Sequence, residues 1–165
     1  MAIHSSVPSM VKESLVEIFL VAQDCVNFEK DPKIWGSNGC YGFPAAILLF
    51  SIADCIGSYV IGGKTTEDHF NILNDKNYYN LELSKTDLNF IYKKYRCLLT
   101  HNSAMPPDTL LDIGVVTDAV FSRINNTPII KLAPFLEVTK YSLKIFLKNA
   151  NETINNSQQL LNILG

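Results

Sequence analysis

The feature that most constrains the fold is an apolar run over residues 44–61, PAAILLFSIADCIGSYVI. Its length suits either a core helix or the shortest membrane span. A single carboxylate, Asp54, lies near its middle, and no basic residue stands at its N-terminal end. A lone carboxylate is costly in lipid, and membrane spans are usually flanked by basic residues. We therefore interpret the run as the buried central helix of a protein with no membrane partner.

Size and charge limit the classes of function. The chain has 165 residues, of which 47% are hydrophobic and 18% charged, so it predicts one domain over residues 1–165 with a single core. The net charge of −2 provides no overall attraction to polyanions. A nucleic acid would therefore need a local basic cluster. Only two arginines are present, Arg96 and Arg123, so the position of each is informative.

The cysteines and the N-terminus indicate the compartment. The four cysteines form no C-x-x-C pair, and their spacing is too sparse for a disulfide framework: Cys25, Cys40, Cys55 and Cys97. Lys12, Glu13 and Glu17 interrupt the apolar residues of the N-terminal segment, which is atypical of a signal peptide. We therefore expect buried, reduced thiols and a cytoplasmic location.

Hydrophobic periodicity predicts a mainly α fold, an up-and-down helical bundle of four to six helices. A short helix opens at Thr65 and carries Phe70, residues 74–80 form a loop, and a final turn runs through Leu160 and Leu161. Ser84 and Asp87 resemble a capping box and start the next long helix. The main helices are predicted over residues 9–28, 44–61, 85–101 and 135–149.

One segment interrupts the helical pattern. Residues 115–132 contain three β-branched or aromatic pairs and a turn signal at Asn125-Asn126, followed by Pro128. This arrangement is typical of two short strands joined by a tight turn. We therefore predict a small β-hairpin near 115–132.

The candidate site lies at the end of the helix over 85–101, in the sequence YRCLLTHN. Arg96 and His101 are five steps apart, so on an ideal helix they lie on different flanks of the core stripe. A narrow second face lies between them, formed by Lys93, Cys97 and Thr100. Two copies meeting there about a twofold axis would bring two arginines and two histidines into one cleft. The sequence therefore predicts a homodimer.

The spacing of Arg96 and His101, followed by Asn102, resembles the R-x(4–6)-H motif of the HEPN superfamily. The specific match is limited to residues 96–102, and the helical order resembles the family over residues 9–150. The resemblance implies a HEPN-like helical bundle that is frequently dimeric and often cuts RNA without a metal. It implies catalytic roles for Arg96 and His101 only.

The chain departs from the family pattern at two positions. Many active members place a polar residue, commonly Asn, directly after the arginine, whereas this chain has Cys97. One variant of the motif has a tyrosine two residues after the histidine, whereas this chain has Ser103. The first difference removes a potential hydrogen bond, and the second gives no support to the modification chemistry of that variant.

RNA cleavage needs a proton acceptor, a proton donor and stabilisation of charge on the phosphorus, because the ribose 2′-OH is itself the nucleophile. Imidazole titrates near neutral pH, so His101 suits proton transfer. Arg96 has a planar fork that matches phosphate oxygens. Lys93 and Lys94 would attract the RNA backbone, and the products would be a 2′,3′-cyclic phosphate and a 5′-OH.

Each candidate residue also has a purely structural interpretation. Arg96 would then pair with an acidic neighbour at the surface, and His101 would cap the helix C-terminus. Asp54 would orient His101 or pair with Arg96, or else bond serine hydroxyls or a tyrosine. A metal site built on Cys97 and His101 would need further ligands such as His69 or Cys40, so we predict no metal and no cofactor.

Three functions remain open at this stage. The first is an endoribonuclease in defence or toxin–antitoxin biology, with an antitoxin as partner. The second is a non-catalytic HEPN-like module that binds a nucleotide or a protein partner. The third is a structural helical protein in which the motif arises by chance. The motif favours the first, and the absence of a basic surface favours the second.

Overall fold

The computed structural model describes residues 4–158 and 160. The helical elements are α1 (Val7–Asn27), α2 (Pro32–Trp35), α3 (Gly42–Val60), α4 (Thr66–His69), the 3₁₀ helix Phe70–Asn74, α5 (Lys85–Phe90), the π-helix Ile91–Cys97, α6 (Leu98–Asn102) and α7 (Leu132–Asn155). The strands are β1 (Leu110–Asp112), β2 (Phe121–Ile124) and β3 (Thr127–Lys131).

Helix α3 is the centre of the molecule. It packs against α1 and α7 on one side and against α4, the 3₁₀ helix and α6 on the other. Phe50, which is 1% exposed, contacts the rings of Phe70, Tyr95 and Phe135 and so joins both sides. Among the described helices, α3 alone is long and apolar enough to cross a membrane, and half of it is buried within the protein. The predicted core helix is thus present, and it begins two residues before Pro44.

Helices α5, π and α6 follow one another without a break over residues 85–102, and together we call them the motif helix. The hydroxyl of Ser84 accepts a hydrogen bond from the amide of Asp87, as the sequence predicted. The sequence predicted a core stripe of six residues, of which Leu88, Ile91, Tyr95 and Leu99 are buried and Tyr92 and Leu98 only partly buried. A π-helical segment was not predicted.

A three-stranded sheet lies beside the motif helix, in the order β1-β3-β2. β2 and β3 pair antiparallel, which confirms the predicted hairpin, and β1 adds a parallel strand on the other side of β3. The hydroxyl of Tyr95 lies 3.1 Å from the carbonyl oxygen of Leu110 and 2.8 Å from that of Pro128. Tyr95 therefore links the motif helix to both β1 and β3.

The hairpin occupies residues 121–131, within the predicted region 115–132. Both predicted ends of the last helix were wrong, because α7 begins at Leu132, directly after β3, not at Phe135, and ends at Asn155, not at Asn149. Pro134 did not delay that start, because proline fits the first turn of a helix, where amides have no intrahelical partner. In the predicted final turn, the amide of Leu160 donates to the hydroxyl of Ser157, and Leu161 lies outside the described residues.

Candidate functional site

The π-helix Ile91–Cys97 carries the arginine of the candidate site. π-helical segments are rare and are found frequently at functional sites. Arg96 is the last residue but one of this segment, and α6 with His101 follows it. The π-helix therefore coincides with the start of the motif that Arg96 and His101 form.

Arg96 is bound to Asp54 across the interface between the motif helix and α3. The Nη2 atom of Arg96 lies 2.7 Å from Oδ2 of Asp54, and the two side chains are only 19% and 17% exposed. Of the interpretations that the sequence left open for Asp54, pairing with Arg96 is the one observed. Arg96 is consequently a half-buried ion-pair partner and not a free surface cation.

His69 is the third member of this cluster. Its Nδ1 atom lies 3.0 Å from Oδ1 of Asp54, and its side chain is 15% exposed. An ionised carboxylate can only accept hydrogen bonds, so Nδ1 of His69 carries a hydrogen and donates a hydrogen bond to Oδ1. Asp54 thus binds Arg96 with one oxygen and His69 with the other. We call His69, Asp54 and Arg96 the carboxylate cluster.

Local structure explains why His69 reaches Asp54. Thr65 and Asp68 form a reciprocal capping box that starts α4, and His69 is the last residue of this helix. Gly57 lies three residues after Asp54 on α3, and a Cβ added there would overlap the backbone carbonyl of His69. Only glycine allows the backbone of α4 to approach α3 this closely.

The other predicted site residues lie on the surface. His101 and Asn102 are exposed at the end of α6, which stops at Ser103 in a left-handed conformation. Lys93 is also exposed. Among the described residues, no hydrogen bond joins His101 to Asp54, and Asp54 orients His69 instead.

The surroundings alter the pKa values of nearby groups. Burial lowers the pKa of Arg96, but the charge of Asp54 and its hydrogen bond outweigh burial, so the net pKa is raised. Burial raises the pKa of Cys55 to about 12, and the negative charge of Asp54 adds to that effect. Burial also raises the pKa of Tyr92, whose ring lies 6.0 Å from the guanidinium carbon of Arg96. Because its own pKa is raised, Arg96 stays charged across the physiological range.

Sequence reasoning missed His69 as a site residue and weighed it only as a metal ligand. One signal was available, because a carboxylate on an apolar helix requires polar partners. The chain has only three histidines, and His69 directly follows the capping-box pattern Thr65-Thr66-Glu67-Asp68. Within residues 4–158 and 160, no group of three or more His, Cys, Asp or Glu is placed to hold a metal ion.

A second exposed feature lies at the N-terminal end of α3, between α1 and β1. The rings of Phe28 and Tyr41 stack with centroids 4.0 Å apart, and Trp35 meets Tyr41 edge-on at 5.7 Å. The ammonium of Lys30 lies 5.4 Å from the centre of the Trp35 ring. Lys30 also borders a cavity of about 460 Å³, together with Asn38 and residues of β1. We call Phe28, Lys30, Trp35 and Tyr41 the aromatic cluster.

Comparison with known proteins does not assign the chain to a family. No protein-family model, no curated protein and no solved structure matches it.

Proposed function

We propose that this chain is a metal-independent endoribonuclease of the HEPN type that acts as a homodimer. One observation carries the proposal. Arg96 is held by Asp54 on a π-helical segment, and the exposed imidazole of His101 follows five residues later on the same motif helix. A fixed cation stabilises the charge on the phosphoryl oxygens, and a solvent-accessible imidazole transfers a proton, so these are two of the groups that metal-free RNA cleavage uses.

Arg96 has donors left for a phosphate. A guanidinium has five N–H groups on three nitrogens, and Asp54 engages Nη2. The remaining donors would stabilise the charge that develops on the phosphoryl oxygens as the 2′-OH attacks. The ion pair with Asp54 also holds the guanidinium in place, which reduces the reorganisation needed in the transition state.

His101 would act as the general acid and protonate the 5′-oxygen as its bond to phosphorus breaks, while the proton of the attacking 2′-OH passes to water. Its ring is exposed at the end of α6, where a bound RNA strand would have access to it. Asn102 and Lys93, both exposed, would contact the RNA backbone beside it. In a twofold dimer through this face, the second protomer would add its own arginine and histidine. We place the enzyme in defence or toxin–antitoxin biology, where an antitoxin or another protein would be its partner.

The direct test is cleavage of end-labelled RNA in EDTA by the wild type, Arg96→Ala and His101→Ala. We expect the wild type to produce a 2′,3′-cyclic phosphate and a 5′-OH, and each variant to lose at least about a hundredfold in rate. Arg123→Ala and His4→Ala are the matched controls, because they remove the other arginine and another histidine. If the RNA survives equally with the wild type and with both site variants, the chain is not an endoribonuclease that uses Arg96 and His101.

A non-catalytic module that binds a nucleotide is the second candidate, and the aromatic cluster favours it. Trp35 is 51% exposed, so a base could stack on its free face while Lys30 attracts a phosphate. Trp35 is the only tryptophan, so its fluorescence reports on this cluster alone. We expect a mononucleotide to quench this fluorescence with saturation, and Lys30→Gln to weaken the binding. A linear, unsaturable response would rule out a nucleotide at this cluster.

A further inference from the structure

We infer that His69 is a positioning residue for Arg96, acting through the shared carboxylate of Asp54. The inference rests on the proposed function for its consequence in catalysis, because it concerns the arginine that would bind the phosphate. The contacts themselves are independent of that function. Two donors from different elements meet the two oxygens of one carboxylate, at 3.0 Å and 2.7 Å.

A carboxylate held by one donor alone would be free to turn. The terminal torsion of an aspartate side chain is broad and roughly twofold, so a single hydrogen bond leaves the plane of the group poorly defined. The second hydrogen bond, from His69 to Oδ1, fixes that plane. Because Arg96 bonds to Oδ2 of the same group, His69 also determines where the guanidinium points.

The imidazole is itself held firmly. The capping box sets the start of α4, and Gly57 lets the backbone of His69 lie directly on α3. All three side chains of the carboxylate cluster are at most 19% exposed, so water competes little for their hydrogen bonds. The backbone of α4 therefore positions His69, His69 positions Asp54, and Asp54 positions Arg96.

Geometry of this kind matters for a phosphate-binding arginine. A misplacement of about 1 Å in a group that stabilises a transition state lowers the rate by up to about a hundredfold. Substrate binding depends less on such precision, since uniform binding does not require transition-state geometry. A change at His69 should therefore lower kcat more than it changes KM.

Two substitutions separate positioning from general loss of structure. His69→Asn keeps an N–H donor near the place of Nδ1, whereas His69→Gln moves the donor toward the place of Nε2, away from Asp54. Both replacements are polar and similar in size. Any difference between them therefore reports on the hydrogen bond to Asp54 and not on the loss of the ring.

The readout that does not depend on activity is the arginine side-chain NMR spectrum. The chain has only two arginines, so Arg123→Lys assigns every signal. We expect Arg96 to show separate, slowly exchanging Nη protons in the wild type and in His69→Asn. These signals should merge or broaden in His69→Gln and in Asp54→Asn. Arg123, which pairs with Asp87 at 2.8 Å without a histidine, is the internal control and should not change.

Kinetics on RNA complete the test. In His69→Gln we expect kcat to fall about tenfold or more with KM changed by less than about threefold, and His69→Asn to stay within about threefold of the wild type. Arg96 signals in His69→Gln identical to those of the wild type would overturn the inference. A wild type that leaves RNA intact, with the Arg96 signals still dependent on His69, would overturn the proposed function and support the positioning role.

Discussion

At the residue scale, the carboxylate cluster depends on what is missing at position 57. Helix α4 reaches α3 because Gly57 has no Cβ, and His69 then donates to Asp54 from the end of that short helix. A β-carbon at this position would push against backbone, which cannot move out of the way as a flexible side chain could. The site and the packing of α4 on α3 are therefore set by the same residue.

Gly57→Ala should destabilise the fold by about 1–3 kcal/mol, the usual cost of overpacking a tight contact. Urea unfolding followed by circular dichroism measures this change. Gly42→Ala is the control in the same helix, because its added Cβ would meet the side chain of Leu132 at 3.5 Å, an ordinary contact. A Gly57→Ala variant as stable as the Gly42→Ala variant would mean that α4 does not need this close approach.

Cys55 should resist alkylation in the folded protein. Its pKa is raised to about 12 by burial and by the charge of Asp54, so at pH 8.5 it remains a thiol and not the reactive thiolate. Mass spectrometry after brief iodoacetamide treatment should find Cys55 unmodified when Cys25, whose pKa burial raises to a smaller extent, has already reacted. Labelling in denaturant, where both react, is the control. Faster native labelling of Cys55 would contradict the buried environment.

The sequence indicated part of this cluster and could not indicate the rest. The need of Asp54 for a partner followed from one carboxylate in an apolar helix, and Arg96 was among the partners considered. His69 stands fifteen residues from Asp54, and its contact depends on a close backbone approach at Gly57. A glycine inside a helical pattern does not indicate which element packs on it. The contact between His69 and Asp54 could therefore not be predicted from the sequence.

At the scale of elements, the motif helix is held between a core helix and a sheet. Asp54 ties it to α3, and the hydroxyl of Tyr95, fully buried, ties it to β1 and β3. Burial raises the pKa of Tyr95 to about 12, so this hydroxyl stays protonated and remains a donor. The two ties use successive residues, 95 and 96, within the π-helix.

Tyr95→Phe should destabilise the fold by about 1–3 kcal/mol, because it removes the hydroxyl that donates to the buried carbonyl oxygen of Pro128. Thermal unfolding and hydrogen exchange measure the effect, and the amides of β1 and β3 should exchange faster than in the wild type. Tyr141→Phe is the control, since Tyr141 is 57% exposed on α7. Unchanged exchange in the strands would show that Tyr95 does not hold the sheet.

The start of the motif helix should be sensitive to acid. The hydrogen bond from Arg123, and then that from Ser84, lowers the pKa of Asp87 below its ordinary value. A lowered pKa contributes stability above the unfolded value of about 3.9, and this stability is lost as the pH falls through the folded value. Melting temperatures from pH 7 to pH 2.5 should fall less steeply in Asp87→Asn than in the wild type.

A double-mutant cycle provides the control for this acid sensitivity. Asp87→Asn and Arg123→Gln remove the two partners of one pair, so their effects should be non-additive at pH 7 and additive at pH 2.5. Additive effects at pH 7 would mean that the pair makes no net contribution, as is common for surface ion pairs.

Periodicity and capping predicted most of the helices because those signals are local. The 3.6-residue pattern identified α1, α3 and the motif helix, and Ser84 fixed the start of the last of these. β1 was missed because it has only three residues and pairs in parallel with a strand that follows it by almost twenty positions. The pairing of β1 with β3 depends on tertiary packing, and no local sequence pattern indicates it.

At the scale of the whole molecule, two separate features lie at different positions along α3. The aromatic cluster lies at the N-terminal end of α3, where Tyr41 precedes the helix, and the carboxylate cluster lies about three and a half turns further on, at Asp54. The proposed dimer uses the surface of the motif helix. The aromatic cluster would then stay accessible in the dimer, and a ligand bound there would not compete with RNA.

Mixing two inactive variants tests whether the catalytic groups are shared between protomers. A heterodimer of Arg96→Ala and His101→Ala retains one arginine and one histidine, contributed by different chains. If both line one cleft, mixing after mild dissociation should restore about a quarter to a half of the wild-type rate, as expected for a random mixture of dimers. Sedimentation should show a dimer throughout. A strictly monomeric protein, or a mixture as inactive as its components, would rule out a shared cleft.

The π-helix also has a consequence for how such chains are compared with one another. Each of its i→i+5 hydrogen bonds spans one more residue than an i→i+4 bond of the segments on either side. A relative that lacks one residue between Ile91 and Cys97 could keep both flanking segments and wind the whole stretch as regular α-helix. Arg96, inside the segment, would then face a new direction, and His101, in the flanking α6, would keep its own, although the number of residues between them stayed the same. A one-residue gap at this point would therefore mark a change in chemistry, and deleting Lys94 would reproduce that change in the laboratory.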